Sequence, residues 1–160
     1  MAIGTYEGSL RAILHALKYD QRRSVARRLG VMLQAAGADV LAGADAVVPV
    51  PLHASRERSR GFNQAREIAR HIGLPEMDIL RRARRTAVQA DLPAARRHAN
   101  VRAAFVIGSP APSVVGLTLV LVDDVSTTGA TLNACAATLL AAGAKEVRAL
   151  TAARAVARSR

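Results

Sequence analysis

Apolar positions recur at helical spacing near the start of the chain. Leu10, Ile13, Leu14 and Leu17 stand at i, i+3, i+4 and i+7, which predicts an amphipathic helix over residues 7–18. Val25, Leu29, Met32 and Leu33 repeat the pattern and predict a second helix ending near Gly37. At Ala46–Pro51 the pattern becomes a short apolar run, a strand stopped by its prolines. Ala65, Ile68, Ala69 and Ile72 mark one face of a helix from Asn63 to about Ile72, with Gly73 near its end. Residues 76–83 are expected as a further short helix. Arg84–Asn100 has no clean period and reads as a mobile loop, with a short turn of helix from Pro93. Ala103–Ile107 reads as a strand and residues 108–113 as a turn or loop.

The clearest pattern lies in the last third. Leu119-Val120-Leu121-Val122 is a continuous run of strand type, as expected of a strand buried on both faces. Asp123 and Asp124 are expected to end it. A helix follows over about Ala130–Ala142, with Leu132, Ala136, Leu139 and Leu140 inward and Gly143 at its C-terminal cap. Glu146–Ala152 is the next strand. Strand, helix and strand in this order make a βαβ unit, which builds parallel sheets. One α/β domain over residues 1–160 is expected, with a helical region at 1–40 and a core at 41–160.

Composition narrows the class. Half of the 160 residues are apolar, enough to bury a core. One cysteine, Cys135, excludes an internal disulfide framework and any zinc site built from two cysteines of this chain; its place in the last predicted helix makes it a small core residue. Apolar stretches reach about six residues, far short of the roughly 20 of a membrane span. The N-terminus lacks the regions of a signal peptide, so a cytoplasmic location is expected.

Charge adds a further question. Lys+Arg is 23 against 12 Asp+Glu, a net +11, and only Lys18 and Lys145 are lysines. Residues 56–102 hold 12 Arg and five acids, net +7 of the +11. Arginine grips nucleic-acid phosphates or the phosphates of a small ligand equally well. Stacking platforms for single strands need exposed aromatics. Phe62 and Phe105 sit in apolar or strand-like segments and read as core.

The chemistry concentrates in Asp123-Asp124-Val125-Ser126-Thr127-Thr128-Gly129-Ala130-Thr131, between strand and helix. In open α/β sheets ligands bind at the carboxyl ends of strands, and the start of the next helix offers free N–H groups to an anion. Ser126, Thr127, Thr128 and Thr131 add hydroxyls, and Gly129 lets the backbone approach a ligand. Two carboxylates would repel a bare phosphate. They make sense beside a sugar, whose vicinal hydroxyls donate to them. The combination reads as ribose plus 5′-phosphate. No Walker A motif and no G-x-G-x-x-G is present.

The twelve residues Val120–Thr131 resemble the phosphoribosyl pyrophosphate (PRPP) signature of type I phosphoribosyltransferases. That resemblance implies a mostly parallel sheet flanked by helices with a small N-terminal helical hood. It gives the ribose hydroxyls to Asp123 and Asp124, and the 5′-phosphate to Ser126, Thr127, Thr128, Gly129, Ala130 and Thr131, with Val125 between. Val48-Pro49-Val50-Pro51-Leu52-His53, Arg56, and Arg60-Gly61-Phe62-Asn63-Gln64-Ala65 are similar to the ComF family. So are Tyr6-Glu7-Gly8, Leu17-Lys18-Tyr19, and Arg84, Thr86, Gln89, Leu92, Arg97 and Asn100-Val101. Members of that family usually begin with a four-cysteine zinc ribbon ahead of the Tyr-Glu-Gly segment. With one cysteine in residues 1–160, either a short form without the ribbon or a misplaced start is expected.

On this resemblance Leu52, His53, Ala54, Ser55, Arg56 and Arg60 form the pyrophosphate loop, with a cis peptide expected near Leu52–Ser55. Residues 84–100 form a lid that excludes water and brings Arg84, Arg85 and Arg97 over the leaving pyrophosphate, with Thr86 and Gln89 as polar contacts. Asp123, Asp124 and Arg84 are the candidate catalytic residues. Mg²⁺ is the expected cofactor, held mainly through substrate, with Asp123 and Asp124 as its candidate protein ligands. Lys18, despite its place in the resemblance, reads most simply as a helix-surface lysine. Purine phosphoribosyltransferases carry an acid where this chain has Thr127, which leaves no evident general base. No glutaminase half is present.

Two readings follow. One is a transferase moving phosphoribose from PRPP to an unidentified small-molecule acceptor. The other is a competence-type protein that binds PRPP or nucleotide together with single-stranded DNA, without robust transfer. A homodimer is compatible with either.

Overall fold

The computed structural model describes residues 1–19, 23–83 and 104–155. Its elements are β1 (Ala2–Thr5), α1 (Gly8–Tyr19), α2 (Arg23–Ala36), α3 (Ala38–Leu41), β2 (Ala46–Pro49), α4 (Ala54–Arg60) and α5 (Gln64–Ala69). These are followed by β3 (Leu80–Arg82), β4 (Phe105–Ile107), β5 (Thr118–Ser126), α6 (Ala130–Ala141) and β6 (Glu146–Arg154). The central sheet has the order β1-β6-β5-β2, and every pairing in it is parallel. Val48 lies opposite Leu121, and Val122 opposite Leu150. β3 and β4 form a separate antiparallel pair.

The apolar run of β5 does what its composition predicts. Side chains alternate across a strand, so Val120 and Val122 enter one core with Leu14, Leu17, Leu29, Leu33 and Ile68 of α1, α2 and α5. Leu119 and Leu121 enter the other, with Cys135 and Leu139 of α6 and with Leu80 and Phe105 of the β3–β4 pair. Helices therefore cover both faces of the sheet, as expected of a parallel sheet. Phe62 and Phe105 are buried core residues, as anticipated.

Several expectations need correction. Residues 76–83 do not form a helix: residues 80–82 pair as β3 with Phe105–Ile107, and Val47 bridges to Glu76 at the sheet edge. Backbone pairing here overrides a sequence compatible with helix. Residues 1–40 are not helical throughout. Ala2–Thr5 joins the sheet beside β6, with Thr5 opposite Arg154. Asp123 and Asp124 do not end β5, because pairing with β6 continues to Ser126 opposite Arg154. Ile13, Met32 and Leu140 face outward at 39%, 48% and 49% exposure, each about 100° around its helix from a fully buried neighbour.

Candidate functional site

Because β1, β6, β5 and β2 are parallel, their carboxyl ends share one edge, where α/β ligand sites form. Tyr6 sits there, its N–H donating to the Arg154 carbonyl at 2.9 Å. α1 starts just after β1, and Lys18 in its last turn meets Asp124 of β5. The helix thus crosses the sheet's edge instead of running back along it. This explains how a residue read as a helix-surface lysine comes to lie in the site.

The Lys18 Nζ is 2.6 Å from Asp124 Oδ2, and the two side chains are only 15% and 14% exposed. The Oδ2 atom is buried without an aligned hydrogen bond, so Lys18 meets it as a charge contact. The two Oδ1 atoms are oriented by the strand itself. Asp124 N–H donates to Asp123 Oδ1 at 2.8 Å, and Val125 N–H to Asp124 Oδ1 at 2.7 Å. Burial first, and the neighbouring Asp124 carboxylate second, push the Asp123 carboxyl from 3.8 up to about 8; the Asp124 N–H and Lys18 pull the other way. Two acids so close cannot both ionise freely.

The segment after the acids is open. Thr127, Thr128 and Ala130 are exposed. Gly129, the residue before α6, has φ 77, the left-handed region that favours glycine, and a Cβ placed on it would meet nothing within 4 Å. It provides no side-chain cap. Ala130 N–H meets Thr128 Oγ1 at 3.3 Å, and Asn133 N–H closes on the Gly129 carbonyl. The remaining N–H groups of the first turn have no intrahelical acceptor. An anion is the complement of this arrangement. Cys135 lies fully buried one turn further on. Burial, then the charge of Asp123, push its thiol up to about 12, which disfavours the thiolate and fits a core residue.

The β2 end differs from expectation. Residues 51–53 form the loop, and helix α4 starts at Ala54, its first turn closed by Glu57 N–H on the His53 carbonyl at 2.9 Å. Among the described residues the cis peptide is Ser109–Pro110, not one near Leu52–Ser55, where the backbone turns straight into that helix. Arg56 is exposed on α4 with no partner among the described residues. Arg60 donates to Gln64 Oε1 at 3.1 Å. Asn63 caps α5 through Ala65 N–H and donates to the Val50 carbonyl, pinning the end of β2 to that helix. Asn63 in this motif is therefore architectural.

The arginine excess also resolves in part. Arg66 pairs with Glu76 and Asp78, Arg70 with Glu67 and Glu76, and Arg81 with Asp78. These three are engaged internally. Arg82, which the sequence reading did not single out, has no acidic partner among the described residues. It donates to the Pro51 carbonyl at 3.4 Å and stacks 4.9 Å from the Phe105 ring centroid. It lines a cleft of about 310 Å³ with Pro51, Leu52, Asn63 and Arg66. That cleft touches the β2 loop but none of residues 123–131. The expected lid residues Arg84, Arg85, Thr86, Gln89 and Arg97 lie outside the described residues.

Comparison with known proteins follows the same lines. The family profile described as "Phosphoribosyl transferase domain" matches residues 58–159. DNA utilization protein YhgH of Salmonella typhi is 34% identical over 92% of this chain and 68% of its own length. Competence protein F of Haemophilus influenzae is 31% identical over 91% of this chain and 68% of its own length. A purine phosphoribosyltransferase of Pyrococcus horikoshii superposes with a TM-score of 0.46 at 20% identity, covering 78% of this chain and 68% of that one.

Proposed function

We propose, from the premise that the chain belongs to the phosphoribosyl transferase domain family in its ComF branch, that it binds PRPP and transfers phosphoribose to a nucleophilic small molecule. The observation that carries this reading is the oriented Asp123–Asp124 pair at the carboxyl end of β5, followed at once by an open glycine turn into α6. The acids accept from ribose hydroxyls. Thr127, Thr128, Thr131 and the first turn of α6 hold the 5′-phosphate. Arg56 and Arg82 supply cations near the β2 loop for the pyrophosphate.

In the transfer the C1–oxygen bond breaks and pyrophosphate leaves with the electron pair. The acceptor's lone pair forms the new bond to C1, and the proton the acceptor loses passes to solvent by way of the released pyrophosphate. With Thr127 where an acid would act as base, this chain contributes position and charge, not proton abstraction. Among the described residues no three His, Cys, Asp or Glu side chains cluster to hold a metal. The site thus suits Mg²⁺ carried by the ligand's own phosphates, where it supplies positive charge to the leaving pyrophosphate. The test is pyrophosphate release over a panel of bases and amines. Release above background with one acceptor, lost in Asp123→Asn, supports transfer. PRPP binding with no release across the panel replaces transfer by binding alone.

A second reading draws on relatives named for DNA utilization and competence: the arginine-rich stretch of residues 56–102 holds single-stranded DNA. Oligo-dT binding that falls steeply with salt would support it. Absence of binding at low salt would remove it.

A further inference from the structure

Two acids beside a phosphate loop are an electrostatic problem, and Lys18 is the structure's answer to it. The acidic pair needs a counter-charge if a phosphate is to bind a few residues away. A divalent ion is one solution. Here a cation is already built in. Leu14 and Leu17 of α1 are fully buried in the core they share with α2, so the helix that carries Lys18 is held in place. The Tyr6 ring centroid lies 5.8 Å from the ammonium. The side-chain entropy of Lys18 is therefore spent on folding, before any ligand arrives. Of the four carboxylate oxygens, Asp123 Oδ1 and Asp124 Oδ1 accept from backbone N–H, and Asp124 Oδ2 is in charge contact with the Lys18 ammonium. A metal ion approaching Asp124 Oδ2 would have to displace the ammonium.

We propose, building on the phosphoribosyl reading above, that Lys18 is the resident cation of the ribose subsite. It stands where a divalent ion would otherwise neutralise Asp123 and Asp124, so the ribose 5-phosphate part of the ligand binds without metal. The metal requirement is then confined to the pyrophosphate. Lys18 is a positioning residue in this scheme: it acts on the ribose through Asp124.

The experiment measures affinity for ribose 5-phosphate and for PRPP, each with excess Mg²⁺ and with EDTA, in the unaltered protein, Lys18→Met and Lys18→Arg. In the unaltered protein, ribose 5-phosphate affinity should change less than about twofold on removing Mg²⁺, while PRPP affinity falls about tenfold or more. Lys18→Met should lose about tenfold or more for ribose 5-phosphate in EDTA and regain part of it with Mg²⁺, and Lys18→Arg should restore metal-independent binding. A merely structural lysine would not move this metal dependence. A collapse of ribose 5-phosphate binding in EDTA with the unaltered protein overturns the proposal while leaving PRPP binding intact. That arm needs no variant and stands even if Lys18→Met fails to fold. Failure of both ligands to bind under any condition overturns the phosphoribosyl reading itself, and this proposal with it.

Discussion

Replacing Asp123 by Asn should make the unliganded protein more stable at alkaline pH while removing its ligand affinity. The carboxyl is raised from 3.8 to about 8, by burial first and by Asp124 second. Below pH 4 folded and unfolded chains both hold this proton, and the contribution to stability is full. As pH rises from 4 to 8 the unfolded chain gives the proton up and the folded chain keeps it, so each unit favours unfolding until the loss is complete near pH 8. At about 1.4 kcal/mol per unit the ceiling is near 6 kcal/mol. Relaxation of the site and an effective interior dielectric well above that of a dry core reduce this, and ~2 kcal/mol is the expected size. For a chain of this length that is roughly 4–8 °C in Tm. Asn carries no titrating proton, so the comparison is one of slopes. Thermal unfolding by circular dichroism at pH 5 and pH 8.5 should show Asp123→Asn gaining ~2 kcal/mol relative to the unaltered protein between the two. A stability difference that stays constant over that range would refute the reasoning.

Three further outcomes are expected. Lys18→Met strands the Asp124 charge and should cost ~2–3 kcal/mol in urea unfolding, whereas Lys18→Met with Asp124→Asn should recover most of it; an additive double variant would show that the pair is not coupled. Gly129→Ala meets open space but a left-handed backbone, so it should lose only ~1 kcal/mol in thermal unfolding. Its methyl group enters the space assigned to the phosphate, so calorimetric affinity for ribose 5-phosphate should fall much further; unchanged affinity would argue against phosphate there. Cys135 should resist thiol reagents in the native protein and react only on unfolding, and rapid labelling of the folded chain would contradict its burial.

The βαβ unit was legible because its signals are local. A continuous apolar strand, a hydroxyl-rich turn with one glycine, and a helix capped at Gly143 each announce themselves over a few residues. β1 was not legible, since Ala2–Thr5 has no strong apolar pattern and takes its form from pairing with β6 at the other end of the chain. β3 was misread as helix for the same reason, its partner being β4. The acids of the site could be read from spacing, but their setting could not. Lys18 meets Asp124 only because α1 crosses the sheet edge, a tertiary fact; the hints in the sequence were that it is one of two lysines in an arginine-rich chain and that it stands in the Leu17-Lys18-Tyr19 segment of the family resemblance. A net charge cannot say which arginines are paired: Arg66, Arg70 and Arg81 are the ones bound to Glu67, Glu76 and Asp78.

The most direct test of the account is calorimetric titration of the protein with PRPP and Mg²⁺, beside a variant with both Asp123 and Asp124 replaced by Ala. The account predicts saturable heat corresponding to one ligand per chain, absent from the double variant. No heat from the unaltered protein at millimolar PRPP, or equal heat from both proteins, would contradict it.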